Sequence, residues 1–337
     1  MRRGAIIRMT GLGIVIAILV TLVAVLIPWL PTSASEEMDR IEFVYWFATV
    51  ICIAVFALVM AVLLYSVMAF RSPPEDESDG PPIHGNTNLE VAWTVVPAIL
   101  VIAIGVISAF VMSKNGEAGP NPLNVKVFAQ QFAWRFVYPD DNEVKSGELV
   151  LPVNRSAKFE MESADVIHSF WIPAMGQKQD LVPGIKTRII VTPTRTGVFS
   201  LVCTELCGVG HATMRATVRV VSQEDFVAWV KERSDGGGGG GVSGDKAAAL
   251  FADAGCGGCH AFTPAGTTGE IGPNLDDLVA AAQKAGQDPA DYVREAIVDP
   301  GKVIAPGYQD GVMPPSYGET LSPAEIDSLV AYLTGAK

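Results

Sequence analysis

Histidine is scarce in this chain, with four among 337 residues. Cysteine is barely commoner, with five. So few cysteines cannot build the dense disulfide framework of a small secreted module. Basic residues are short as well: 24 Lys and Arg stand against 36 Asp and Glu, a net charge of −12. That balance excludes a basic nucleic-acid-binding surface as the main feature of the chain. Charged residues of both signs make up only 18%, while 49% of the chain is hydrophobic. That apolar excess is concentrated in a few runs.

Three segments carry no charge at all: Gly11 to Leu30, Phe43 to Phe70 and Val91 to Met112. A bilayer span needs about 20 apolar residues, so each is long enough to cross a membrane. The first follows Arg2, Arg3 and Arg8 and precedes Pro31-Thr32-Ser33-Ala34-Ser35. Residues 1–34 therefore fit a secretory signal with cleavage near Ala34, or an extra transmembrane helix. Residues 41–112 read as a transmembrane hairpin with spans at about 43–70 and 91–112. The basic N-terminus places the start of the chain in the cytoplasm and everything after residue 113 outside. The loop from Arg71 to Glu90 holds one Arg and several acids, so its own positive-inside signal is weak.

Gly236 to Gly241 is an unbroken run of six glycines. Such a run holds no secondary structure and acts as a tether, so residues 236–243 read as a linker. It divides a middle domain, 113–235, from a C-terminal domain, 244–337. The middle domain alternates short Val-, Ile-, Phe- and Thr-rich stretches with Pro, Gly and Asn, which predicts a β-sandwich or barrel. Asn124 to Tyr138, Glu148 to Pro152, Ser156 to Met161, Lys186 to Thr194, Gly197 to Val202 and Met214 to Val221 read as such stretches, and Ser222 with Asp225 predicts a capped closing helix. The C-terminal domain reads as all-α, with Lys246–Ala254, Ala280–Lys284, Pro289–Asp299 and Pro323–Thr334 helical. The last begins with a Ser322–Glu325 capping box. Residues 242–337 hold 13 acids and 5 bases. This surface is either simply solubilising or suited to docking a basic partner.

The scarce metal-binding residues are clustered. Cys203, Cys207, His211 and Met214 fall within twelve residues, and His168 is the other histidine of the outer middle domain. Thiolate and thioether are soft ligands that select copper, and Met disfavours zinc. Two thiolates four residues apart can bridge two copper ions, with His168 and His211 capping one each. A Cys203–Cys207 disulfide or a zinc knuckle is the competing reading, and each leaves the neighbouring Met214 without a role. Gly208 and Gly210 suit a tight ligand loop with unusual backbone angles.

A second cluster is Cys256-Gly-Gly-Cys259-His260, the covalent haem c signature: two thioether anchors and a proximal iron ligand. No histidine follows His260, and Met313 is the sole later methionine, which makes it the distal-ligand candidate by exclusion. Cys52 lies mid-span and reads as a small apolar packing residue.

Residues 41–233 resemble subunit II of the haem–copper cytochrome c oxidases. The likeness is carried by His84-Gly-Asn-Thr-Asn-Leu-Glu90-Val-Ala-Trp93-Thr-Val-Val-Pro97, Gln131-Phe132-Ala-Trp134, Asp165-Val-Ile-His168-Ser-Phe-Trp171 and the cysteine loop. Residues 244–337 resemble a class I cytochrome c, in which the carbonyl of Pro273 in Gly272-Pro273-Asn274-Leu275 would accept the proximal His N–H. Together these imply a caa3-type fusion: a transmembrane helical hairpin, a cupredoxin-like barrel and a cytochrome c domain in the membrane of a bacterium. The resemblance implies a dinuclear CuA centre on His168, Cys203, the Glu205 carbonyl, Cys207, His211 and Met214. It also implies a magnesium ion at the Glu205 side chain, shared with subunit I, and a proton-pathway role for Glu90. A mere interfacial anchor is the alternative for Glu90.

Implied partners are subunit I, subunit III, the lipid membrane and an upstream donor such as a cytochrome bc complex. The implied activity is aerobic electron relay from haem c through CuA to subunit I, with oxygen reduced and protons pumped there. The family often has Trp-Tyr-Trp where this chain has Phe132-Ala133-Trp134, so the usual route of electron input is altered. A tethered donor at high effective concentration makes a dedicated encounter surface matter less. A CuA subunit of a nitrogen-oxide reductase, or a non-catalytic membrane redox or copper-binding protein, is the alternative function.

Overall fold

The computed structural model describes residues 3–71, 75, 80, 82, 84–235, 244–315 and 317–335. The glycine tether predicted at 236–243 lies outside the described residues. Two compact units emerge: residues 1–32 with 39–115, and residues 33–38 with 116–337.

The first unit is built from α1 (Arg3–Leu26), α2 (Glu36–Ala69) and α3 (Thr87–Asn115). All three are long and apolar enough to cross a membrane. α2 and α3 outrun the apolar stretches that predicted them, because acidic and polar residues at their ends continue the helices. α1 packs on α2 at Gly13, where a Cβ would stand in ordinary van der Waals contact with that of Ala61 at 3.5 Å. Asn86 opens α3, its side chain accepting from the Leu89 amide at 3.2 Å while Glu90 accepts from the Asn86 amide at 3.1 Å. These bonds satisfy backbone donors that a helix start leaves unpaired.

In the second unit, residues 123–221 form two five-stranded sheets. The first has the order β3 (Val144–Ser146), β2 (Ala133–Tyr138), β1 (Leu123–Gln130), β5 (Ala157–Ser163), β8 (Thr187–Val191). The second runs β4 (Leu149–Pro152), β10 (Arg215–Val221), β9 (Gly197–Cys203), β6 (His168–Trp171), β7 (Lys178–Leu181). β1 pairs in parallel with β5, and β4 with β10; the other pairings are antiparallel. Alternate residues of β1 are buried, as a strand with one face on a core requires. Leu123, Val125, Phe136, Phe159, Phe170 and Leu201 fill the space between the sheets. Tyr138 crosses it: its hydroxyl accepts from the Val150 amide at 2.8 Å and donates to the Val150 carbonyl at 3.0 Å.

The stretch read as one strand over Asn124–Tyr138 is a hairpin. Gln130 pairs with Ala133, leaving Gln131 and Phe132 at the tip. The short strands β3, β6 and β7 escaped prediction because, unlike the equally short but wholly apolar β4, they mix polar and apolar residues. α4 (Gln223–Asp235) closes the sandwich as expected, with the Asp225 amide donating to Ser222 and Phe226 and Trp229 buried.

The C-terminal domain holds α5 (Gly244–Asp253), α6 (Leu278–Ala285), α7 (Pro289–Val298), α8 (Tyr317–Thr320) and α9 (Pro323–Thr334). A small hairpin, β11 (His260–Phe262) with β12 (Thr267–Glu270), accompanies them. The Ser322–Glu325 capping box is formed. Phe251, Phe262 and Tyr332 meet ring to ring at 5.3–6.0 Å in the core.

Candidate metal centre and haem cleft

Four loops and strand ends bring the first cluster together. His168 opens β6 and Cys203 ends β9, and the two strands pair at Phe170 and Cys203. The chain then turns through Cys207, a short helical turn at His211–Thr213, and Met214 at the head of β10. The Cys203 amide donates to the Met214 carbonyl at 3.1 Å, which closes the loop.

The side chains converge. Cys203 Sγ lies 3.8 Å from Cys207 Sγ and 3.9 Å from His168 Nδ1. Cys207 Sγ lies 3.6 Å from His211 Nδ1 and 3.8 Å from Met214 Sδ. The Glu205 carbonyl sits 3.2 Å from Cys203 Sγ, while the Glu205 side chain is exposed. Both cysteines are free thiols. A disulfide needs sulfurs about 2.0 Å apart, so this spacing is not that of a bond. Two buried sulfurs, two imidazole nitrogens and a thioether turned toward one point form the donor set that soft, borderline metals bind, and copper fits it.

Electrostatics distinguish the two thiols. Burial raises the Cys203 pKa, but hydrogen bonds from His168 and from the Ser169 and Glu205 backbone outweigh it and bring it down to about 6. Burial and the adjacent Cys203 push Cys207 up to about 12. One thiolate is thus ready, and the second proton must be displaced when metal enters.

Two residues outside the predicted donor set hold it in place. Asp165 Oδ1 lies 2.8 Å from His168 Nε2, committing that nitrogen and turning Nδ1 to the sulfurs. A carboxylate on the far nitrogen is the usual way to fix a ligand imidazole. Burial raises the Asp165 pKa, and hydrogen bonds from His168 and the Gln131 and Val166 amides bring it below the ordinary value. Gln131 donates from its amide to Asp165 at 2.6 Å and from Nε2 to the Cys207 carbonyl at 2.6 Å. An acid three residues before a candidate ligand histidine was the available signal for Asp165; nothing local marks Gln131.

The glycines of the loop serve different needs. Gly208 has φ +127°, which an L side chain rarely adopts. Gly210 has an ordinary φ of −90°, contrary to the expected unusual angle, and is needed for space. A Cβ there would lie 2.4 Å from the Phe132 ring. Phe132 therefore lies flat against the metal loop. Trp134 is buried beside it, its ring edge-on to His168 with centroids 6.2 Å apart.

The second cluster lines an apolar cleft. Cys256, Cys259, His260, Pro273 and Met313 all face it, with Tyr317 and Leu329. His260 Nδ1 donates to the Pro273 carbonyl at 2.8 Å, leaving Nε2 as the nitrogen available to iron. Burial lowers the His260 pKa, against the Pro273 bond, and so favours the neutral ligand form. Burial drives the Cys256 thiol up to about 12 and raises that of Cys259. A Cβ at Gly272 would lie 2.4 Å from the His260 ring, so that glycine admits the imidazole. The residues present fit a covalently held haem. Gln131 and Phe132, from the hairpin tip, also line this cleft.

Known proteins resemble each part of the chain. Residues 24–111 match the transmembrane domain of cytochrome c oxidase subunit II, 143–221 its periplasmic domain, and 244–337 the cytochrome c family. A cytochrome c oxidase subunit 2 of Alkalihalophilus pseudofirmus is 30% identical over 327 residues, covering 91% of each chain. The subunit 2 of Bacillus subtilis is 29% identical, covering 92% of each chain. Among solved structures, the periplasmic domain of subunit II of cytochrome oxidase from Bradyrhizobium japonicum is 31% identical with a TM-score of 0.34. It covers 36% of this chain and 97% of that one.

Proposed function

The chain belongs to the cytochrome c oxidase subunit II family, fused to a cytochrome c domain, and from that premise we propose that it relays electrons from its own haem to subunit I through a dinuclear copper centre. The family is part of an oxidoreductase complex, and its domains imply a CuA copper centre and haem. The single observation that carries the reading is the convergence of His168, Cys203, Cys207, His211 and Met214 on one buried point, with two unbonded sulfurs 3.8 Å apart.

Copper bound there supplies a one-electron carrier shared over two ions. The chain's own residues prepare for it. Cys203 offers a thiolate, Asp165 sets the His168 tautomer, and the Glu205 carbonyl faces the cluster. The exposed Glu205 side chain is assigned to a magnesium ion at the subunit I boundary. Cys256 and Cys259 would hold the haem covalently, and His260 and Met313, which line the same cleft, would be the residues offered to its iron. Phe132, between cleft and copper loop, and Trp134, buried against His168, are the electron-input region of this reading. Glu90 caps α3, and its role at the mouth of a proton pathway is proposed beside that structural one. Three apolar helices anchor the chain in the membrane, with both redox domains on the outer face. Subunit III and a cytochrome bc complex or another cytochrome c are the further partners assigned. Oxygen is reduced in subunit I.

Metal analysis with optical and paramagnetic-resonance spectra of the purified full chain tests this. The expected result is two copper ions sharing one unpaired electron and one low-spin covalent haem. Zinc, a single copper, or a Cys203–Cys207 disulfide in metal-loaded protein would overturn it.

A further inference from the structure

The cytochrome domain meets the cupredoxin-like domain through a defined surface. Asp253, the last residue of α5, is at its centre. Its Oδ1 accepts from the Gly147 amide at 2.9 Å, and its Oδ2 pairs with Arg233 of α4 at 2.9 Å. Backbone meets backbone here: a Cβ on Gly147 would lie 2.5 Å from the Asp253 Cα. Gly147 has no left-handed φ, so the glycine is required by the neighbouring domain and not by its own turn. A second close approach lies two residues on, where a Cβ at Gly255 would meet that of Ala133 at 2.5 Å. Ala133 is therefore small where the haem-binding segment leans on it. Tyr317 adds a hydrogen bond to the Gln130 side chain, and Arg135 and Glu325 face one another across the same cleft.

These contacts have a shared consequence. They hold the cleft of Cys256, Cys259 and His260 against Gln131 and Phe132, and those two residues touch the copper loop from the other side. A flexible tether alone supplies concentration, not orientation. Orientation within an encounter comes from short-range contacts with matched shape and charge.

We propose that Asp253 and Gly147 form a latch that fixes the cytochrome domain in its electron-donating pose on the Gln131–Phe132 hairpin tip, and that this latch, not the glycine tether, sets the rate of intramolecular transfer. The inference rests on the electron-relay reading above and names its internal docking surface. The transfer served is a one-electron exchange: what the haem iron loses, the copper pair gains, so no further reactant is needed. Asp253, Gly147 and Arg233 are positioning residues and touch neither centre.

The test uses the full chain assembled in its oxidase. Hydrogen exchange over residues 144–148 reports the latch without reference to either metal. Asp253→Asn keeps an acceptor for the Gly147 amide and loses the ion pair; Asp253→Ala loses both. Exchange is expected to rise about five-fold in Asp253→Ala, the weight of one partly buried ion pair and its hydrogen bond, and less in Asp253→Asn. Flash reduction of the haem should show transfer to copper slowed in the same order, with the optical spectra of both centres unchanged. Gly147→Val, a steric wedge without charge change, should behave like Asp253→Ala. Unchanged exchange in Asp253→Ala and Gly147→Val overturns the latch, and so does faster exchange with an undiminished transfer rate. Absence of the copper signal from the unaltered protein would instead overturn the relay reading, so the two failures are separable.

Discussion

Asp165 shows how much of a metal site lies one bond beyond its donors. Its carboxylate commits His168 Nε2 and, through the Gln131 amide, ties the hairpin tip to the same group. Asp165→Ala should leave the haem bands intact while lowering copper affinity by roughly 10–100-fold, the cost of losing such a partner. Copper titration of metal-depleted full chain checks it. The thiols give a second prediction. Cys203 has a folded pKa of about 6, below the ordinary thiol value of 9.0, and Cys207 one of about 12, above it. An acid with a depressed pKa is ionised above that value. In copper-free protein, alkylation at Cys203 should therefore proceed at neutral pH and fall off as pH drops through about 6, with Cys207 unreactive throughout. Peptide mapping after labelling across this range reads both sites. Equal labelling of the two cysteines would contradict the asymmetry.

At the level of elements, the β1–β2 hairpin and the loop between β9 and β10 depend on one another. The hairpin register leaves Gln131 and Phe132 at the tip. The loop accepts them because Gly210 has no side chain where the Phe132 ring lies. Gly210→Ala should destabilise the domain by about 1–3 kcal/mol through overpacking, and should lower copper retention while β-sheet content is preserved. Thermal unfolding followed by far-ultraviolet dichroism, together with copper analysis, distinguishes this from global misfolding. The element-level reading of the sequence succeeded where apolar composition, periodicity or caps marked a segment: α5, α7, α9 and strands β4, β5, β8, β9 and β10 were legible in this way. It missed β3, β6 and β7, the last two of which flank the metal site, because these short segments mix polar and apolar residues and lack the apolar run that marked the equally short β4. Asn124–Tyr138 read as one strand because its hairpin turn carries none of the usual Gly or Asn signals.

At the scale of the whole molecule, charge is divided unevenly. The chain carries −12, and residues 242–337 hold 13 acids against 5 bases. Reduction of the haem by a basic donor should be fast at low ionic strength and slow steeply as salt is raised, while an acidic donor shows the reverse trend at low salt. Stopped-flow reduction with donors of opposite net charge measures it, and a rate indifferent to donor charge would assign the acids to solubility alone. The tether reading of residues 236–243 implied a donor for which a dedicated encounter surface matters less. The contacts of Gly255 and Tyr317 with Ala133 and Gln130, beside the hairpin tip, and of Asp253 with Gly147 show a domain seated through backbone-close packing.

By itself the sequence determined the chemistry on offer: which residues can hold metal, that two thiols lie four residues apart in one segment and two more stand beside a histidine in another, and which stretches are apolar enough for lipid. These are properties of side chains and of short spacings, and they persist in any conformation that keeps the segments local. Only the tertiary structure decided what stands between the two centres. Asp165, Gln131, Phe132 and Asp253 acquire their roles from partners 34 to 106 residues away in several of their bonds. Contacts at such separation are set by sheet register and domain packing, which no local pattern encodes.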